Sequence, residues 1–219
     1  EIIQSILNGI LLGGLYAVIG LGMSLIFGIM GLTNLAHGDL MILGTFFSMI
    51  LAMQVTGNVI LALLITIVIM MIIGYLAQNF LINRVVDKGS EPPLLVTFGI
   101  SIILQNVLLL FFGADARSIP VSIASKNIIS TELFSVSAIY LINFVVAIAV
   151  ILTLNYIMQK TYFGRSIRST SDDVVASELM GVNTKRMYAY TMCLAMVTSS
   201  IAGLLVGVTF IFYPTTGTQ

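Results

Sequence analysis

The chain has 219 residues, of which 58% are hydrophobic and 8% are charged, and its formal net charge is zero. A soluble domain carries about 25% charged residues, so this composition indicates an integral membrane protein. The balanced charge excludes the basic footprint of a nucleic-acid-binding protein, and a single cysteine excludes a disulfide within the chain.

Long stretches without charged residues divide the chain into predicted membrane-spanning helices. A helix needs about 20 mostly apolar residues to cross the hydrocarbon core of a bilayer. The run 40–83 is long enough for two helices, which we separate at the polar, turn-like segment QVTGN (54–58). The sequence therefore predicts an all-α, polytopic transmembrane helix bundle, a single domain over residues 1–219, with six crossings at about 5–30, 40–56, 59–82, 94–113, 136–158 and 187–212.

Glycines four residues apart recur in the first and last predicted helices. Gly9 and Gly13 form one such pair, and Gly203 and Gly207 form the other. Small residues at this spacing let membrane helices approach each other closely. The pattern predicts tight helix contacts, within the chain or between subunits, and indicates no function by itself.

The first predicted connection, GLTNLAHGDLMILG (31–44), carries the only histidine of the chain. An aspartate at mid-bilayer costs about 2.5–3.5 kcal/mol, so such a residue usually faces a cavity or a polar partner. We interpret Asn34, His37 and Asp39 as part of a polar passage or its gate, in an apolar segment interrupted by glycines. The alternative is a simple interfacial turn in which Asp39 caps the next helix.

Nothing in the sequence indicates an enzyme. His37 and Asp39 are two residues apart and cannot face each other in regular structure, and no nucleophile motif accompanies them. The phosphate-binding pattern G-x-x-x-x-G-K-[ST] is absent, so we do not expect this chain to hydrolyse ATP. We also predict no cofactor and no metal in it.

Positive charge is concentrated in the loop 159–186, which holds five of the nine basic residues. The positive-inside rule places this loop in the cytoplasm. Counting crossings backwards puts the loop 83–93 on the same side. It puts the loop 114–133 and the amino terminus outside.

Within the loop 159–186, the segment STSDDVVASELMG (169–181) predicts a short amphipathic helix from Asp172 to Met180. Ser or Thr at 169–171 can cap it, acidic residues occupy its first turn, and Gly181 ends it. A helix this short is marginal in water, so something should hold its apolar face. Lipid headgroups and a groove on a soluble partner both fit the face formed by Val175, Ala176, Leu179 and Met180.

Two segments resemble permeases of the branched-chain amino-acid importers driven by ATP-binding cassettes. FGRSIRSTSDDVVASELMGVN resembles the cytoplasmic coupling loop whose short helix docks on the ATPase. The stretch NGILLGGLYAVIGLGMSLIFGIMGLTNLAHGDLMILGTF, including N-L-A-H-G-D from Asn34 to Asp39, resembles the amino-terminal region of the LivH-type subunit. The resemblance covers residues from about 4 to 213. Because LivH-type permeases usually have about eight crossings, we expect the chain to be truncated at its C-terminus.

The resemblance implies a multi-pass permease in the plasma (inner) membrane of a bacterium or archaeon. Its implied partners are two cytoplasmic ATPases that bind ATP and Mg, a second similar permease and an external solute-binding protein. Asn34, His37 and Asp39 would belong to the translocation path or its gate. The residues implied in ATPase coupling are Gly164, Arg165, Arg168, Asp172, Asp173, Val175, Ala176, Glu178, Leu179, Met180 and Gly181.

A secondary transporter or channel for a small polar solute, with Asp39 and His37 in proton coupling, is the alternative. It predicts acidic or ion-coordinating residues in the other crossings, and we find none in 59–82, 94–113, 136–158 or 187–212. A membrane enzyme would need a second catalytic group at helical spacing, which is absent. With both alternatives disfavoured, we follow the resemblance, which implies an importer of branched-chain or related aliphatic amino acids.

Overall fold

The computed structural model of the protein describes residues 2–89, 91–121, 127–131 and 134–218. Six of the described helices are long and apolar enough to cross a membrane, which confirms the all-α, multi-pass bundle. The helices are α1 (Ile2–Met30), α2 (His37–Ile50), α3 (Val59–Phe80), α4 (Glu91–Phe112), α5 (Ala138–Lys160), α6 (Tyr162–Asp172), α7 (Val174–Leu179) and α8 (Thr184–Thr209).

The predicted division of the run 40–83 is confirmed at its polar segment. The last turn of the second crossing is a π-helix, Leu51–Thr56, and Gly57 then adopts a left-handed conformation (φ 62°). The Asn58 side chain accepts hydrogen bonds from the first backbone N–H groups of α3, as a helix cap does. The second crossing begins at His37, three residues before the predicted start.

Helix α8 lies at the centre of the bundle and packs against α1, α2 and α3. Its glycine pair meets α2: a Cβ on Gly203 would lie 2.7 Å from the Met41 carbonyl oxygen, and one on Gly207 would lie 2.7 Å from Thr45. The predicted close helix contact is therefore confirmed for this pair. In α1, Gly9 and Gly13 have no described atom within 4 Å of a Cβ position.

Two short strands lie between α4 and α5, which the sequence analysis did not predict. The strands β1 (Asn127–Thr131) and β2 (Phe134–Ser137) pair antiparallel, while 122–126 and 132–133 of the predicted loop lie outside the described residues. Before them, Arg117 and Phe212 exchange two backbone hydrogen bonds of 3.0 and 2.9 Å. The start of this loop is thereby fixed to the segment that follows α8.

The loops 83–93 and 159–186 meet on one side of the bundle, as the charge count predicts. The amide of Asn83 donates to the Lys185 carbonyl at 3.1 Å. The Lys185 ammonium also pairs with Asp87 at 2.5 Å. Both side chains of this ion pair are exposed, so the pair adds little stability. It shows that the two loops lie close together.

Candidate functional site

Two non-helical segments enter the bundle and meet beside the start of α2. The first segment is 31–36, in which the Leu35 N–H donates to the Thr97 hydroxyl at 3.3 Å. Thr97 lies about 9 Å along α4 from the first residue of that helix. From the other side, residues 210–218 bring Gly217 against Gly38 and Asp39. Non-helical backbone at membrane depth is tolerated where protein buries it or where it lines a cavity.

Asn34 shapes the turn that leads into α2. Its side-chain oxygen accepts a hydrogen bond of 3.0 Å from the Ala36 N–H. Its amide nitrogen lies 3.8 Å from the sulfur of Met192 in α8. Asn34 is 4% exposed, so its polar groups are used inside the bundle.

The His37 ring is wedged between α1 and α8. Its Nε2 lies 3.4 Å from the Ser199 hydroxyl, and a Cβ on Gly22 would lie 2.6 Å from the His37 Cε1 atom. The other ring nitrogen, Nδ1, is buried and has no hydrogen-bond partner within range among the described residues. With 5% of its surface exposed, His37 offers one unsatisfied polar atom inside the bundle.

Asp39 joins α2 to α4. The Ser101 hydroxyl donates to its Oδ2 at 2.5 Å, and the Gln105 amide donates to both carboxylate oxygens at 3.2 Å. The side chain is fully buried, and no ion pair with a described basic residue reaches it. The prediction that Asp39 caps α2 is wrong, because the capping position is Ala36, three residues earlier, and the Asp39 carboxylate accepts from Ser101 and Gln105 instead.

A cavity of about 430 Å³ opens beside these residues. Asn34, His37 and Ser101 form part of its wall, whereas Asp39, which accepts from Ser101, is not among the lining residues. Its size is in the range of small-molecule sites. Apolar and small residues dominate the lining, which comprises Ile19, Gly20, Met23, Asn34, Leu35, His37, Gly38, Phe98, Ser101 and Gly217.

The segment 159–186 forms two helices, so the predicted single helix from Asp172 to Met180 is wrong at its start. Asp172 ends α6, and Asp173 is extended (φ −152°) and caps α7 by accepting from the Ala176 N–H at 2.9 Å. A short acidic side chain that bonds nearby backbone competes with continuing the helix. The predicted stop is confirmed, since Gly181 is left-handed (φ 85°).

Helix α7 turns its apolar side chains away from the protein. Leu179 is 84% exposed, Met180 is 85% exposed, and Val175 and Ala176 are also exposed. The residue that faces inward is Ser177, which is 4% exposed. Nothing in the described chain covers this apolar face.

Helix α6 fixes α7 to the membrane helices. A Cβ on Gly164 would overlap the carbonyl oxygens of Ile157 and Met158, so glycine permits the sharp turn from α5 into α6. Ile167 is fully buried, and the Ser171 hydroxyl donates to the Gly28 carbonyl of α1 at 2.7 Å. The remaining implied coupling residues lie on the surface or bridge to α8: Arg165 and Arg168 are exposed, and Glu178 accepts from Thr184 at 2.6 Å.

Comparison with known proteins gives one family. The family described as "Branched-chain amino acid transport system / permease component" matches residues 5–219. No solved structure matches the chain.

Curated relatives come from both bacteria and an archaeon. The high-affinity branched-chain amino acid transport system permease protein BraD of Pseudomonas aeruginosa is 25% identical, over 95% of this chain and 71% of the relative. The corresponding LivH of Salmonella typhimurium is 28% identical, over 94% and 70%. A probable LivH of Methanocaldococcus jannaschii is 24% identical, over 98% and 69%. The chain therefore belongs to the branched-chain amino acid permease family and is a multi-pass transport component, not an enzyme.

Proposed function

We propose that this chain is the LivH-type permease subunit of an ATP-driven importer of branched-chain or related aliphatic amino acids. It would act in the plasma (inner) membrane of a bacterium or archaeon, beside a second similar permease. An external solute-binding protein would deliver the solute, and two cytoplasmic ATPases would bind ATP and Mg. The observation that carries this proposal is the outward apolar face of α7 on a helix pair braced against the membrane helices.

The coupling step follows from that bracing. Leu179 and Met180 offer an apolar projection of the size that a groove on a partner accommodates. A push on α7 passes into α6, whose tight turn at Gly164 ties it to α5 and whose Ser171 bonds to the end of α1. Closure of the ATPases would thus tilt several crossings together, which is what alternating access requires.

The translocation path is assigned to the cavity that Asn34 and His37 line. Discontinuous helices that meet at membrane depth are where transporters commonly place their solute sites. The mostly apolar lining suits an aliphatic solute, and the few polar groups are too sparse for tight binding. Asp39 would act at the gate by holding α2 to α4 through Ser101 and Gln105.

Charge placed on the apolar face of α7 tests the coupling. In the assembled importer, we expect Leu179→Asp with Met180→Asp to abolish both ATPase co-purification and ATP-driven leucine uptake. Gln159→Asp, an exposed change at the end of α5, is the control and should retain both. Retention of the ATPases and of uptake in the double variant would contradict the proposed docking.

A proton-coupled carrier is the second candidate, and one observation favours it. Asp39 is fully buried and is hydrogen-bonded by neutral donors, without an ion pair to a described basic residue. The family supports the first function instead, and the Asp39 variants described below separate the two.

A further inference from the structure

A second cavity lies at the opposite end of the bundle from α7, at the predicted external side. It measures about 490 Å³, again in the range of small-molecule sites. It opens between the end of α2 and the end of α4. Its lining is Met49, Ile50, Met53, Gln54, Phe112, Ala116, Arg117 and Ser118.

Arg117 is the one charged residue among the described residues of this lining, and its position is fixed by the fold. Its backbone pairs in both directions with Phe212. Its guanidinium carbon lies 5.8 Å from the centre of the Phe112 ring, and Nη2 donates to the Phe112 carbonyl at 3.0 Å. The guanidinium is therefore held in place before any ligand arrives.

The guanidinium nevertheless keeps unused capacity for hydrogen bonding. Among the described residues, its buried Nε has no hydrogen-bond partner and no carboxylate forms an ion pair with it. Leaving a buried donor without an acceptor is costly, so such a group is expected to meet a ligand. Arginine suits a planar carboxylate, which it binds through parallel N–H donors.

The rest of the wall indicates what the carboxylate would be attached to. Met49, Ile50 and Phe112 supply apolar surface, and Gln54 and Ser118 supply neutral polar groups. Within the part of the chain that the structure describes, no acidic residue lines the cavity, and a ligand ammonium meets only neutral acceptors there. Gln54 lies in the π-helical turn at the end of the second crossing, a distortion frequently found at functional sites.

We propose that this cavity is an entry subsite that receives the carboxylate of an aliphatic amino acid on Arg117 before the solute reaches the path at His37. The proposal rests on the function proposed above for its amino-acid solute. It assigns recognition at this point to the carboxylate and the aliphatic chain, and not to the ammonium. A lipid phosphate is the competing occupant, and the experiment below distinguishes it.

Equilibrium binding tests the subsite. The permease–ATPase assembly, without the solute-binding protein, is placed in phosphatidylcholine nanodiscs, and ligand binding is followed by saturation-transfer NMR. L-Leucine and 4-methylpentanoate, which lacks the ammonium, should both bind saturably, whereas leucinamide, which lacks the carboxylate, should bind about tenfold more weakly. Equal binding of leucine and leucinamide, or no saturable binding of leucine, would overturn the proposal.

Variants locate the binding on Arg117. Arg117→Gln should weaken leucine binding about tenfold, and Arg117→Lys should fall between it and the wild type because it keeps the charge but loses the planar fork. The control is Arg84→Gln, which replaces an exposed arginine on the predicted cytoplasmic side and should leave leucine binding unchanged. Size-exclusion profiles establish that each assembly is intact, and unchanged binding in both Arg117 variants would overturn the proposal.

Two further measurements distinguish this proposal from a lipid site and from a failure of the proposed transport function. If phosphatidylglycerol added to the nanodiscs displaces leucine, the site is a lipid site and the proposal is wrong. ATP-driven leucine uptake by the wild-type importer with its binding protein is measured in parallel. Uptake without an effect of Arg117 on binding rejects the subsite alone, and the absence of uptake rejects the proposed function.

Discussion

Gly22 is the residue that makes room for the only histidine of the chain. A Cβ there would lie 2.6 Å from the His37 ring and 2.8 Å from the Thr198 hydroxyl. We expect Gly22→Ala to displace the ring, to destabilise the bundle by about 1–3 kcal/mol and to reduce leucine uptake. Thermal unfolding of the purified assembly measures the loss of stability, and ATP-driven leucine uptake measures the loss of transport. Gly9→Ala in the same helix meets open space and is the control; equal effects of the two changes would contradict the packing argument.

Asp39 is expected to act through its hydrogen bonds and not through proton transfer. Asp39→Asn keeps an acceptor for Ser101, so uptake should remain at half or more of the wild-type rate. Asp39→Leu leaves the buried hydroxyl and the Gln105 amide without their acceptor, at a cost of about 1–3 kcal/mol. Uptake and thermal stability of both variants are the measurements. A proton-coupled carrier predicts the opposite for Asp39→Asn, a folded protein that does not transport.

The sequence predicted that the polar side chains of 34–39 would avoid lipid, but it did not predict their hydrogen-bond partners. A histidine and an aspartate in an apolar run must be buried or hydrated, which follows from the cost of exposing them to lipid. Which groups satisfy them depends on how α2 is rotated and how deep it starts. Ser101 and Gln105 left a weak signal, two polar residues four apart in a predicted crossing, and the sequence analysis did not use it.

At the scale of the helix, the two glycine pairs offer a matched comparison. Gly203 faces the backbone of α2, while Gly13 of α1 has no described atom within 4 Å of a Cβ position. Gly203→Ala should therefore destabilise the assembly by about 1–3 kcal/mol, and Gly13→Ala should leave it unchanged or slightly stabilise it, since alanine favours helix. Thermal unfolding of both variants in the same lipid tests this. A larger loss for Gly13→Ala would place the important contact of α1 on another subunit.

The membrane helices were predictable because, in a chain of this composition, a run of about 20 residues without charge indicates a helix that crosses the bilayer. Their exact starts were less so: α2 begins at His37, inside the polar cluster, because residues 31–36 are anchored within the bundle. The helix boundaries within 159–186 were harder still to predict. Asp173 looked like a first-turn residue in the sequence, but its side chain bonds the Ala176 N–H and starts a new helix.

For the whole molecule, burial divides the crossings into central and peripheral ones. Helix α8 and the second crossing are mostly enclosed, whereas α4 and α5 expose most of their apolar surface, including Leu110 and Phe111. An exposed apolar surface of this extent fits lipid or a membrane partner. The entry of residues 210–218 into the bundle was not predictable, because no local pattern specifies a contact between Gly217 and Asp39.

The central claim is that α7 contacts an ATPase when the importer is assembled. The native Cys193 is buried, so Met180→Cys adds one exposed thiol to this chain, and partner subunits are used without cysteines. A photo-crosslinker attached to that thiol in native membranes measures what lies next to α7, and Leu110→Cys at the far end of α4 is the control. Our account predicts a covalent adduct between this chain and the ATPase for Met180→Cys and none for Leu110→Cys. Adducts of Met180→Cys with lipid alone, in an assembly that transports leucine, would contradict it.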